Sequence, residues 1–369
     1  MKPFFDPAAF RLSPGVTHVC AGGETAALRA HDEALLRYLA DKSTGLRGRT
    51  AQEAEIEAAR LGMARLWNVG AGDIGFVSNV AEGVSLVADS IDWREGDSIA
   101  IDAIEYPSVV GPVALRRNPA IRLRQARGGE PDRLAGCVDG STRIIAVSYV
   151  SYLTGERMDL PALRALADSV GALLLVDFTQ ASGYLPITAS IADFAFSACY
   201  KWMLGITGVA VAYWNRTRQP DWTPASAGWY SFAAGTRSYD TIPALKADAM
   251  RFTRGNPAHA PIYVLNSALS FLSRFDMAEL QRHVQMLTVA LLNELAASQI
   301  AVMTPADPAR HGASVCVASP RAQSIVAALF EEGVYAWNGQ DRVRISFHGY
   351  NSMDDAERSA AALIRQIRT

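Results

Sequence analysis

Lys201 sits in the run Cys199-Tyr200-Lys201-Trp202-Met203-Leu204-Gly205. An amine among such neighbours is held away from water, which disfavours its charged form and leaves it a better nucleophile toward a carbonyl. Upstream, the apolar run of LLLVDFTQASG (173–183) ends on Asp177, with Gln180 three residues later. Each residue alone has a plainer reading. An Asp at a strand end usually caps a helix, and a Lys is usually solvated. Together they offer an amine that condenses with an aldehyde and a carboxylate that keeps a ring nitrogen protonated.

The segments around them place the pair. From about residue 24 to 214, helix-like stretches (24–41, 51–67, 80–91, 108–116, 160–170) alternate with short β-rich runs at 74–78, 98–101, 121–123, 143–148, 173–176, 194–197 and 209–214. Such alternation predicts an α/β fold with a mainly parallel sheet covered on both faces. Asp177 and Lys201 then follow the carboxyl ends of strands, where open α/β sheets bind their ligands. Pyridoxal 5′-phosphate is the cofactor whose chemistry asks for this amine and this carboxylate.

After residue 215 the composition turns rich in Pro, Gly, Ser and Trp up to about Pro257 and reads as extended loop. Two long helical segments (258–274, 277–298) follow, then strands near 314–318, 335–337 and 343–347, with helices at 320–332 and 353–367. The expected organisation is an N-terminal arm (1–15) packing with the small domain, a large cofactor-binding domain (16–245) and a small α+β C-terminal domain (246–369).

Other functional classes find little support. The net charge of −2 gives no basic footprint for nucleic acid or an acidic membrane. No apolar run is long enough to span a bilayer, and four scattered Cys with six dispersed His suggest neither disulfide framework nor metal site. A cytoplasmic protein without a metal is expected. Gly70-Ala71-Gly72-Asp73-Ile74-Gly75 matches the dinucleotide fingerprint in letters only. A helix precedes it and a strand follows, the reverse of the context that puts phosphate on a helix N-terminus.

YKWMLG with its upstream DxxQ, together with IDAIEYPS (101–108) and FVSNVAEGVS (76–85), resembles class V of the pyridoxal phosphate-dependent aminotransferase superfamily, fold type I. That group includes cysteine desulfurases, isopenicillin-N-epimerase-like proteins and kynureninases, and the resemblance covers nearly the whole chain. It implies a seven-stranded sheet in the large domain and a Schiff-base lysine at Lys201. Asp177 is implied on the pyridinium nitrogen, Gln180 on the ring-hydroxyl side and Tyr106 stacked on the ring. The amides of Val80 and Ala81 would cradle the phosphate at a helix N-terminus. Tyr200, Gly228-Trp229 and Gly255-Asn256-Pro257 look more like kynureninases, in which Tyr, Trp and Asn complete the phosphate site across a dimer interface. A homodimer with shared active sites is implied. In RVRISFHGYNSMDDAE (342–357), Arg344 matches the arginine that holds the carboxylate of an amino-acid substrate, and Arg342 lies on the same strand face.

Departures narrow the activity. A desulfurase needs a mobile-loop cysteine before that arginine, and residues 331–341 contain none. Cys316 falls inside an apolar strand, where a thiol is normally inert packing. The family's phosphate-binding Thr is Ala81 here, its Ser is Ala198, and the Asn common in desulfurases is Tyr152. The expectation is a class V aminotransferase acting on an amino acid. A β-carbon lyase or hydrolase (kynureninase-like or C–S lyase) or an epimerase is the alternative, with a non-catalytic protein of the same fold behind both.

Overall fold

The computed structural model describes residues 1–115, 121–126, 131–233, 241 and 243–369. In chain order, β1 (Thr17–His18), α1 (His31–Lys42) and α2 (Leu46–Leu66) lead into the large sheet. Its strands are β2 (Ile74–Val77), β3 (Ser98–Asp102), β4 (Arg122–Ala126), β5 (Thr142–Ser148), β6 (Leu173–Asp177), β7 (Phe194–Ala198) and β8 (Ala210–Trp214). Helices α3 (Val80–Asp89), α4 (Pro107–Ala114), α5 (Pro131–Ala135) and α6 (Leu160–Val170) connect them.

The seven strands lie in the order β2-β8-β7-β6-β5-β3-β4. Pairs within β4-β3-β5-β6-β7 are parallel and β8 runs antiparallel to both its neighbours, so the sheet is mixed and mainly parallel, as expected. Every residue of β2, β3 and β8 is buried, which explains why these strands read as continuous apolar runs. Helix ends carry their own signals. Asp159 caps α6 by accepting from Ala162 N–H, and Gly171 ends it in the left-handed region at φ +71°.

Beyond β8 come α7 (His259–Leu272), α8 (Met277–Ala297), β9 (Ser314–Ala318), α9 (Ala322–Glu331), β10 (Val334–Tyr335), β11 (Trp337–Asn338), β12 (Arg342–Ser346) and α10 (Met353–Arg368). Strands β11, β12 and β9 form an antiparallel sheet, while β10 pairs with β1 near the N-terminus. The strand expected at 335–337 is therefore two strands, because residues on either side of Ala336 join different sheets. Phe5 packs among Phe10, Phe271, Phe275 and His348, which ties the N-terminal arm to the C-terminal half.

The helix expected from residue 24 begins only at His31. The preceding segment spends its backbone bonds elsewhere: Ala21 N–H donates to Ser346 O and Arg11 N–H to Ala27 O. Arg116, the expected last residue of α4, lies outside the described residues. No described helix is long and apolar enough to cross a membrane.

Candidate active site

Strands β6 and β7 are parallel, with Asp177 opposite Phe196, so the turns that follow them leave the same edge of the sheet. Asp177 ends one strand; Lys201 lies just past the other. Gly183 lets the first turn run under the second. Its φ is +110°, and a side chain there would meet Trp202 O at 2.2 Å. The second turn is held from the far side by His348. Gly349 N–H donates to His348 Nδ1, so the opposite nitrogen carries the proton and donates to Trp202 O at 2.9 Å.

Lys201 is 6% exposed, and its Nζ lies 5.6 Å from the Tyr106 ring centroid and 5.5 Å from that of Tyr200. Among the described residues no hydrogen-bond acceptor reaches this amine. Burial first, then the Arg344 charge, bring its pKa down to about 8, with Asp177 and Glu24 pulling the other way. Asp177 is buried and accepts from Thr179 N–H at 2.8 Å. Burial pushes its carboxyl up, and Thr179 and the Lys201 charge resist. The amine and the carboxylate therefore feel each other in one region.

Tyr106, at the N-cap of α4, packs edge-on against Tyr152 at 4.9 Å. The preceding residue, Glu105, accepts from Tyr106 N–H and from both the N–H and hydroxyl of Ser148, the register partner of Asp177. Burial nonetheless lifts its pKa to about 7, against these bonds. Gln180 is held at both ends of its amide: Nε2 donates to Gly22 O at 3.0 Å and Oε1 accepts from Trp202 Nε1 at 3.0 Å. One N–H of Gln180 remains for any ligand.

Across the site, β12 presents Arg342 and Arg344, 2% and 3% exposed. Both donate to the Tyr152 carbonyl, at 2.6 Å and 3.1 Å. Gly22 approaches so closely that an added Cβ would stand 3.2 Å from the Arg344 guanidinium carbon and 2.7 Å from Ser346 Oγ.

At the start of α3, Asn79 caps the helix by accepting from Glu82 N–H, and Glu82 accepts from Ser78 N–H and pairs with Arg254. The amides of Val80 and Ala81 find no acceptor among the described residues, as expected of the first turn of a helix. A cavity of about 90 Å³ near the start of α3 is lined by Ser78, Glu82, Arg254 and Asn256 among others, and not by Val80 or Ala81. Asn256 accepts from Arg49, and the Arg49 guanidinium lies 5.6 Å from the ring of Trp229, itself 57% exposed. No described contact joins Trp229 to Lys201.

The structure thus gathers Lys201, Asp177, Tyr106, Tyr200 and Arg344, and sets Asn256 near the start of α3. Thr179, Trp202 and Glu24 belong to the same surroundings without having been singled out for it, and Tyr152, noted only as a departure from the desulfurases, joins them. Thr179 lies inside the DxxQ run and was within reach of the sequence. Glu24 carried no signal. An acceptor-free amine, a desolvated carboxyl beside it, an aromatic face and free helix-terminal amides fit pyridoxal phosphate. Among the described residues no group of His, Cys, Asp and Glu could hold a metal.

Residues 25–358 match the family described as aminotransferase class-V. A probable cysteine desulfurase of Methanothermobacter thermautotrophicus is 25% identical over 335 residues, covering 82% of this chain and 81% of that one. A kynureninase of Pseudomonas fluorescens is 26% identical over 213 residues, covering 55% and 50%. In fold, the chain resembles the cystine C–S lyase C-DES in complex with its product cysteine persulfide, at TM-score 0.86, 22% identity and coverage of 95% and 98%. A C-DES variant with glycine linked covalently to its pyridoxal phosphate gives TM-score 0.88, 22% identity and coverage of 98% and 99%. The chain belongs to the aminotransferase class-V family and is a pyridoxal phosphate-dependent enzyme.

Proposed function

We propose that the enzyme is a lyase that cleaves a β-carbon bond of an α-amino acid and releases the departing group into solution. One arrangement carries the reading: the acceptor-free Lys201 amine lies near the Tyr106 and Tyr200 rings and is coupled at once to Asp177 and Arg344. Bound pyridoxal phosphate supplies an electron sink for the pair left on the substrate α-carbon.

The chain's own groups do the rest. Asp177, steadied by Thr179 N–H, would keep a proton on the cofactor's ring nitrogen, and Tyr106 would offer its aromatic face to the ring. The remaining N–H of Gln180 would serve the ring hydroxyl. The amides of Val80 and Ala81 would hold the phosphate, with Tyr200, Asn256 and Trp229 completing that end. Arg344 holds the substrate carboxylate. Lys201, with its pKa brought down to about 8, takes the α-proton and returns a proton to the departing group. A homodimer belongs to the same proposal, since Trp229 is 57% exposed beside the α3 end of the site.

Release into solution, rather than transfer to a protein thiol, follows from the cysteines. Cys20 and Cys316 are buried near Arg344, and burial pushes both thiols up, which keeps them protonated and poor sulfur acceptors. Lysis displaces the transamination expected from sequence because the desulfurase and C–S lyase likenesses carry names of enzymes that part carbon from sulfur.

The test is to give the holoenzyme β-substituted amino acids without any keto acid. Repeated turnover yielding keto acid and ammonia supports lysis. Accumulation of pyridoxamine phosphate in a single stoichiometric round returns the enzyme to transamination.

A further inference from the structure

One substrate carboxylate needs one guanidinium, yet two are buried here. Arg342 and Arg344 project from the same face of β12 and converge on one acceptor, the Tyr152 carbonyl. Beyond that bond, Nε and Nη1 of Arg342 and Nε of Arg344 are buried without a partner. Neither arginine has an ion pair with Asp or Glu among the described residues. Cys316, opposite Arg344 on β9, brings no charge, because burial keeps its thiol protonated. The other groups that face the pair are Tyr152, whose ring lies 5.6 Å from the Arg342 guanidinium carbon, Tyr106 beyond it, Cys20 and Tyr200 near Arg344, and the Lys201 amine, which adds no negative charge.

A buried guanidinium with idle donors is costly, and that cost is recovered only when an anion arrives. A single α-carboxylate brings one negative charge against two positive ones. Asp177 lies on the cofactor side of the pocket, and Glu24 is exposed and couples to Lys201. Among the described residues no side chain supplies the second negative charge, and an acidic substrate would.

We propose that Arg342 is a specificity-determining residue that binds a second anionic group, a carboxylate or sulfur oxyanion on the side chain, so that the enzyme takes acidic amino acids. This rests on the reading above, in which Arg344 holds the α-carboxylate. Arg342 then selects, while Arg344 orients.

Spectral titration of the holoenzyme with L-aspartate, L-cysteine sulfinate, L-alanine and L-cysteine tests it. Wild type half-saturates at lower concentration with the two acidic compounds. Arg342→Gln weakens those two by about tenfold or more and leaves alanine and cysteine within about twofold; Arg342→Lys recovers part of the preference. A second readout needs neither variant nor cofactor: succinate raises the melting temperature of the cofactor-free protein more than propionate does at equal concentration. Equal affinity of wild type for aspartate and alanine overturns the proposal. So does a uniform weakening by Arg342→Gln, which would put both arginines on one carboxylate. A wild-type spectrum that no amino acid disturbs sinks the parent reading as well, and is told apart from these outcomes before any variant is made.

Discussion

The two ends of the same parallel strands treat buried charge in opposite ways. At the start of β7, Asp193 is 1% exposed and surrounded: Leu174 N–H, Arg164, Arg218 and the Gln219 amide all donate to it. Burial alone would push its carboxyl up, but those donors outweigh it and hold it below the ordinary range. At the other end, among the described residues, Asp177 keeps only Thr179, Lys201 keeps no acceptor, and three guanidinium nitrogens stay idle. Balanced charge at one end holds the fold. Unbalanced charge at the other is what a cofactor and a substrate would complete.

Breaking the comparison starts with the amine. Lys201→Ala removes the base and the covalent anchor together, so turnover falls by about 10³-fold or more. The absorbance band of the lysine-bound cofactor disappears with it. Turnover within tenfold of wild type would remove Lys201 from the chemistry.

On the balanced end, Asp193→Ala leaves the Leu174 N–H without its acceptor and Arg164 and Arg218 with Asp168 as their one acidic partner among the described residues, at a cost of about 2–4 kcal/mol. Urea unfolding followed by circular dichroism reads this directly. The residual folded enzyme keeps its substrate preference, because the lesion lies at the wrong end of the strands. Asp177→Asn gives the mirror result. Turnover drops by about 10²-fold, while stability stays level or rises, since a desolvated carboxyl has been replaced by a neutral amide. Should Asp177→Asn unfold the protein instead, the two ends are not different in kind.

Much of this contrast was visible in the residues. The sheet could be read because strands buried on both faces are apolar runs bounded by turns. The nearness of Asp177 and Lys201 followed from two parallel strands ending side by side. The segment at 24–30 misled because its local pattern suits a helix, while Ala27 within it accepts from Arg11 N–H and Ala21 just before it donates to Ser346, far off in the chain. Arg342 was placed on the face of Arg344 by period two alone. What no spacing could reveal is that no acidic side chain among the described residues comes to meet it. Absence of a partner is a property of packed space, and it distinguishes a structural arginine from one left waiting.

The smallest effect tests whether the unbalanced end weakens the empty fold. In the cofactor-free protein Lys201 titrates at about 8 because burial penalises its charge, whereas in the unfolded chain it titrates near 10.4. Below pH 8 both states hold the proton, and the folded state bears the full cost of a buried ammonium. Between about 8 and 10.4 the folded state has released its proton and the unfolded state has not, so stability rises with pH. Above that window the amine is neutral in both and the penalty is gone. Lys201→Met therefore stabilises the cofactor-free protein at pH 7 by roughly 1–3 kcal/mol, and the advantage shrinks toward pH 10. Urea melts of both proteins at the two pH values measure it. A Met variant less stable than wild type at pH 7 would mean that Asp177 and Lys201 already form a favourable pair, and that this end of the sheet is balanced after all.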